Sequence, residues 1–190
     1  MILSCYGKDY CMQNQMAQSK ESAAYTPPAW DQLPDLGLYM DQVITYMERQ
    51  FKALYPKAGA LLTPAMINNY VKSGLVKRPA GKKYDQEQLA QLIMLCTLKQ
   101  VASMEEMKQL LTPPDGQDTE QLYESFRGAQ ANVFQTLLSR PPEPSAMQYA
   151  IEAAAFRSLC AKRLAEEVKP PAKPEPKKEK NPQPADAQAQ

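Results

Sequence analysis

Four helix-boundary signals crowd into the stretch from Thr63 to Glu106, and they constrain this chain more than any other feature. Thr63 precedes Pro64, an N-cap followed by a residue whose missing N–H costs nothing in the first helical turn. Gly74 is the natural stop, because glycine enters the left-handed conformation that ends many helices. Asp85-x-x-Gln88 and Ser103-x-x-Glu106 are then two capping boxes in succession. So dense a series leaves room for short helices and tight joints, with at most a tiny hairpin over 76–84.

Apolar spacing extends the helical pattern on both sides. Leu38, Tyr39, Val43, Tyr46, Met47, Phe51 and Leu54 predict a helix over 38–54, closed by Pro56. Trp30, Leu33 and Leu36 form an apolar lead-in expected to tuck under it. Met66, Ile67, Tyr70 and Val71 share one face of a helix over 64–74. Leu89, Leu92, Ile93, Cys96 and Val101 make the stripe of a helix over 85–100, and Met94, Leu95 and Leu98 thicken it into the expected central element. Met104, Met107, Leu110 and Leu111 mark a helix over 104–111. Beyond the joint "TPPDGQD", helices are predicted over 119–139 and 145–168, separated by "RPPEP". Their apolar residues (Leu122, Phe126, Val133, Phe134 and Leu137; Met147, Ile151, Ala154, Leu159 and Leu164) have least obvious cover within one chain, so they are expected to pack on the core or on a second copy.

The ends are different in composition. Residues 1–29 are polar and Gln- and Ser-rich, and 169–190 are rich in Pro and Lys with alternating charge. Both are expected to be disordered. The expected organisation is therefore a head over 1–29, a helical domain over 30–111, a helical hairpin over 112–168 and a tail over 169–190. "MILSCYG" lacks a basic leader and a long apolar run, so neither a signal peptide nor a lipid anchor is expected, and Met12 or Met16 is an alternative start. No run is long and apolar enough for a membrane span.

The chain has no histidine. Imidazole general bases and histidine metal sites are thereby excluded. Cys5, Cys11, Cys96 and Cys160 are too scattered for a redox pair; Cys96 and Cys160 read as core residues, and the usage fits a cytoplasmic setting. Met94, Met104 and Met107 read as core filler rather than soft-metal ligands, and Glu105 and Glu106 as acids complementing a helix dipole. No enzyme activity, cofactor or metal is expected. Trp30 is read either as a cap on the core or as part of a small-molecule pocket, the core being favoured.

Function turns on "INNYVKSGLVKRPAGKKY", residues 67–84, which hold Lys72, Lys77, Arg78, Lys82 and Lys83 and no acid, in a chain of net charge +1. So neutral a total means that any nucleic-acid contact must rest on local charge. Asn68, Asn69 and Lys72 fall on the polar face of the short helix, where an amide suits an adenine edge and a lysine suits guanine or phosphate. Ser73, Lys77, Arg78, Lys82 and Lys83 are candidates for the DNA backbone. Tyr70 is read as core before base-stacker. The competing reading is a solvated connection between two helices.

The stretches "LYMDQVITYME", "LTPAMINNYVKSGLVKRPAGKKYDQEQLAQLIMLCTLKQV" and "SMEEMKQLL" are similar to the DUF1836 family of Firmicutes, over about residues 30–165. The order of elements also resembles the winged helix-turn-helix head of MerR-like regulators, with Gly74–Leu75 as the "GL" pair and Tyr84 closing the wing. Asn68–Asn69 stands where that head usually has Arg-Tyr, and "YPKAGAL" is a looser joint than its usual turn. The resemblance implies an all-α fold comprising a MerR-like winged helix-turn-helix core with a minimal wing at 76–84, plus the C-terminal hairpin. It also implies a cytoplasmic regulator that binds double-stranded DNA as a homodimer, with no membrane partner and an unspecified effector. The alternative is a non-enzymatic helical protein-interaction module.

Overall fold

The computed structural model describes residues 26–55, 60–114, 116–141 and 144–167. Cys5, Cys11, the rest of the head to residue 25, Pro56 and the tail from 168 lie outside the described residues, as do the expectations that fall on them. A 3-10 turn at Trp30–Gln32 leads into six helices: α1 (Met40–Phe51), α2 (Pro64–Lys72), α3 (Gln86–Leu98), α4 (Met104–Leu111), α5 (Thr119–Leu138) and α6 (Ala146–Glu167).

The boundary chemistry operates as the sequence implies. Thr63 Oγ1 accepts from the Met66 N–H at 3.2 Å, and Gly74 sits at φ +79° just beyond α2. Asp85 and Gln88 cap α3 reciprocally, as do Ser103 and Glu106 for α4. Asp118 and Gln121 add a third box at the start of α5. Helix α1 begins two residues later than its apolar pattern suggests. Leu38 is held instead by Tyr84, through N–H···O bonds of 2.8 Å in each direction, so its backbone is committed before the helix can start.

Helix α3 is the centre of the fold. Every residue from Gln88 to Cys96 except Gln91 is buried, so the helix has no wet face over that run. Val43, Met47 and Phe51 of α1, Ile67 and Tyr70 of α2, Met107 of α4 and Tyr123 of α5 join it in one core. Side chains of this size stabilise by roughly 1.5–3 kcal/mol each when fully buried. Burial pushes the Cys96 thiol up to about 12, against a smaller opposing effect of Lys99, which fits a packing role. Val101 departs from the stripe assigned to it: α3 ends at Leu98, and Val101 lies exposed in the following turn.

The lead-in packs more tightly than its composition implies. The Trp30 ring lies against Tyr123 at 6.1 Å, the Trp30 backbone N–H donates to Glu124 Oε1 at 2.8 Å, and the Trp30 backbone carbonyl accepts from Gln86 Nε2 at 2.6 Å. Pro27 is buried and the Pro28 carbonyl accepts from the Tyr123 hydroxyl at 2.8 Å, so packing starts at the end of the predicted head. Leu36 does the opposite and is 77% exposed.

The expected wing is absent. Among the described residues there is no β-strand, only two isolated bridges, Leu38 with Tyr84 and Ala80 with Lys83. Gly81 (φ +55°) and Lys82 (φ +68°) are both left-handed, the tight turn of a hairpin, and Lys83 N–H closes on Ala80 O at 3.1 Å, but the arms on either side are drawn to other partners. Tyr84 then pairs with Leu38 of the lead-in, and the Lys77 backbone bonds to α3 side chains. Pairing within the turn therefore stops at the single Ala80–Lys83 bridge and does not extend into a two-stranded ladder. The all-helical expectation stands, whereas the MerR-like winged helix-turn-helix assignment is corrected.

Candidate functional site

The basic segment hangs between α2 and α3 on buried anchors. Leu75 and Val76 are buried, and both their N–H groups donate to the Tyr70 carbonyl, at 3.0 and 3.2 Å. Tyr84 is buried at the other end. Two glutamines of α3 then hold Lys77 by its backbone: Gln91 Oε1 accepts from the Lys77 N–H at 2.9 Å, and Gln88 Nε2 donates to the Lys77 carbonyl at 3.3 Å. Gln88 is 1% exposed and its Oε1 also accepts from the Asp85 N–H at 2.6 Å. One side chain therefore caps α3 and fixes the turn. A buried amide with donor and acceptor both satisfied is stable; with either unpaired it becomes a liability.

The projecting side chains are not equivalent. Lys77 Nζ donates to Glu87 Oε2 at 2.7 Å, and Glu87 Oε1 accepts from the Thr119 hydroxyl at 2.9 Å. The bond to Glu87 holds the Lys77 ammonium above its ordinary range, and the same bond holds the Glu87 carboxyl below its own. Lys77 is thus partly neutralised and ties the turn to α5. Lys83 Nζ lies 5.3 Å from the Tyr39 ring centroid, a cation–π distance. Lys72, Arg78 and Lys82 are exposed and make no ion pair with any described residue.

Asn68, Asn69 and Lys72 are exposed together on the outer face of α2, as their spacing implies. No hydrogen bond or ion pair joins this set to Arg78, Lys82 and Lys83 among the described residues. Ser73 is half-buried and its hydroxyl donates to the Tyr70 carbonyl at 3.0 Å. Tyr70 is 5% exposed, so it belongs to the core. Trp30 likewise packs on the core.

Reasoning from sequence missed the lip beside the turn. The Leu38–Tyr84 bridge brings Gly37 and Tyr39 against Lys83. A Cβ at Gly37 would stand 3.0 Å from Lys83 Cβ, so glycine permits the approach. Tyr39, half exposed, is the N-terminal neighbour of α1 rather than part of its buried stripe. The one sequence signal for this was Gly37 itself, a glycine between apolar residues.

Fold and site together define an all-helical module that presents an exposed cationic turn beside a short, polar-faced helix. The chain belongs to the family described as a domain of unknown function, DUF1836, whose model matches residues 28–126. Those limits have a structural counterpart: Pro28 and Trp30, at the start, bond to Tyr123 and Glu124, near the end. No curated protein and no solved structure matches the chain. Among the described residues no helix is long and apolar enough to cross a membrane, and no group of three or more Cys, Asp or Glu is placed to hold a metal ion.

Proposed function

We propose that this protein is a non-catalytic, cytoplasmic DNA-binding regulator that contacts duplex DNA, without a wing, through α2 and the turn that follows it. The observation that supports this reading most is the set of unpaired exposed cations, Lys72, Arg78 and Lys82, in a segment from Ile67 to Tyr84 that contains no acid. Arg78, Lys82 and Lys83 serve as backbone contacts, with Ser73 beside them. Lys77 is the weakest of the group, since DNA must compete with Glu87 for it. Asn68, Asn69 and Lys72 supply the base-edge chemistry. So few phosphate contacts give a monomer feeble affinity, and a homodimer reading two half-sites is the form in which the surface works.

Fluorescence anisotropy with random and selected duplexes over a salt series tests the reading. Arg78→Ala/Lys82→Ala/Lys83→Ala should weaken binding to every duplex and lower the salt slope by about 1 for each phosphate no longer neutralised. Lys77→Ala alone should change it least. Asn69→Ala should cost about 1–3 kcal/mol at one base position and little elsewhere. A wild-type protein with no measurable affinity for any duplex at about 50 mM salt would end this reading in favour of a protein-interaction module.

A further inference from the structure

The last two helices carry an apolar face that nothing described covers. Met147, Ile151, Phe156 and Leu159 of α6 are 61–70% exposed, and Val133 of α5 is 56% exposed. Ala150, Ala154 and Ala155 are exposed as well. On its inner side α6 is held by Leu164, which is buried, and by Arg157, whose Nη2 donates to Glu106 of α4 at 2.8 Å. Arg140 and Glu152 join α5 to α6 near their connection, at 2.8 Å. The helix is therefore docked, and its uncovered face is a property of the folded chain rather than a frayed end.

We propose that this face is the contact between two copies of this chain. The inference rests on the dimeric reading above and names its interface. Size is the first argument. Five large side chains exposed by more than half, with three exposed alanines, offer on the order of 600 Å² of apolar surface per copy. This lies at or above the top of the range for the largest patch on a monomer and near the 800 Å² that each partner contributes to a standard interface.

Shape is the second argument. Val133, Leu137 and Phe156 line a groove of about 290 Å³ between α5 and α6, and Met147 and Ile151 project from the same hairpin. A two-fold axis lets each copy offer its projecting residues to the groove of the other, which is how an isologous contact satisfies itself. Ala154 and Ala155, three and four residues after Ile151, share its face of α6 and remove bulk there, so paired helices can approach closely.

Charge and chain composition favour the same occupant. A net charge of +1 gives two copies almost no mutual repulsion. After α6 the sequence holds a single apolar residue larger than alanine apart from proline, Val168, directly at the helix end, so residues 169–190 offer no large apolar side chain with which to fill the groove.

Sedimentation equilibrium of the full chain without DNA, over about 1–100 µM (a span that includes the micromolar affinities of modest interfaces), tests the proposal. Wild type should sediment at twice the 21.3 kDa chain mass. Ile151→Glu/Leu159→Glu should sediment at the single-chain mass with an unchanged helical circular dichroism spectrum. Should that double variant lose its helical signal, Ala154→Arg, one change on the same exposed face, takes its place with the same expected mass. A wild type that stays at one chain mass throughout overturns the proposal, whether a foreign partner or the chain's own head occupies the face. So does a dimer that survives the folded variant, because its contact then lies elsewhere. A dimer that binds no duplex leaves this inference standing and removes the DNA reading alone.

Discussion

Gln88→Ala tests whether one buried amide locks both the start of α3 and the basic turn. The side chain is 1% exposed, accepts from Asp85 N–H and donates to the Lys77 carbonyl. Two hydrogen bonds contribute about 0.5–1.5 kcal/mol each. Removing four heavy atoms leaves a void of about 60 Å³, which adds roughly 1.5 kcal/mol at ~24 cal/mol per Å³. Water reaching the freed groups of Asp85 and Lys77, both exposed residues, offsets part of this. The expected loss is about 2–4 kcal/mol, or a midpoint lower by roughly 6–16 °C for a domain of this size. Gln91→Ala is the internal control. It removes one bond to the same residue from a half-buried position and should cost only about 0.5–1 kcal/mol. Urea denaturation with an unchanged slope gives both numbers. If Gln88→Ala falls within about 0.5 kcal/mol of wild type, or matches Gln91→Ala, the amide is no lock and the turn is held chiefly by the buried Leu75, Val76 and Tyr84.

Gly37→Ala should destabilise by about 1–2 kcal/mol, because its new methyl meets Lys83 Cβ at 3.0 Å, and Lys83→Gly should relieve the clash in a double-mutant cycle. Lys82→Gly removes a side chain from a left-handed position, φ +68°, so thermal unfolding should show equal or slightly greater stability, by up to about 1 kcal/mol, even as duplex affinity falls. The Glu87 carboxyl is held low by Lys77, so its stabilising contribution is present above the ordinary carboxylate value and lost as pH falls through the depressed one. The stability difference between wild type and Glu87→Gln should therefore be largest near neutrality and shrink below about pH 4 in acid denaturation curves.

Local chemistry written in the sequence settled the helices of this protein. Caps at Thr63, Asp85 and Ser103 and the stop at Gly74 act within one turn of themselves, so their outcome needs no knowledge of distant residues. The exposed face of Asn68, Asn69 and Lys72 followed from helical spacing for the same reason. Tertiary structure decided what local signals leave open. The segment after α2 has the length and residues of a small hairpin, but Tyr84 found a better partner in Leu38, far earlier in the chain, and the Lys77 backbone found Gln88 and Gln91. Backbone hydrogen bonds are satisfied by whatever the packed chain brings within about 3 Å, and sequence spacing carries no record of that choice. The same holds for charge: five cations read alike along the chain, and only folding set Lys77 against Glu87 and Lys83 over Tyr39 while leaving Lys72, Arg78 and Lys82 without an ion pair among the described residues.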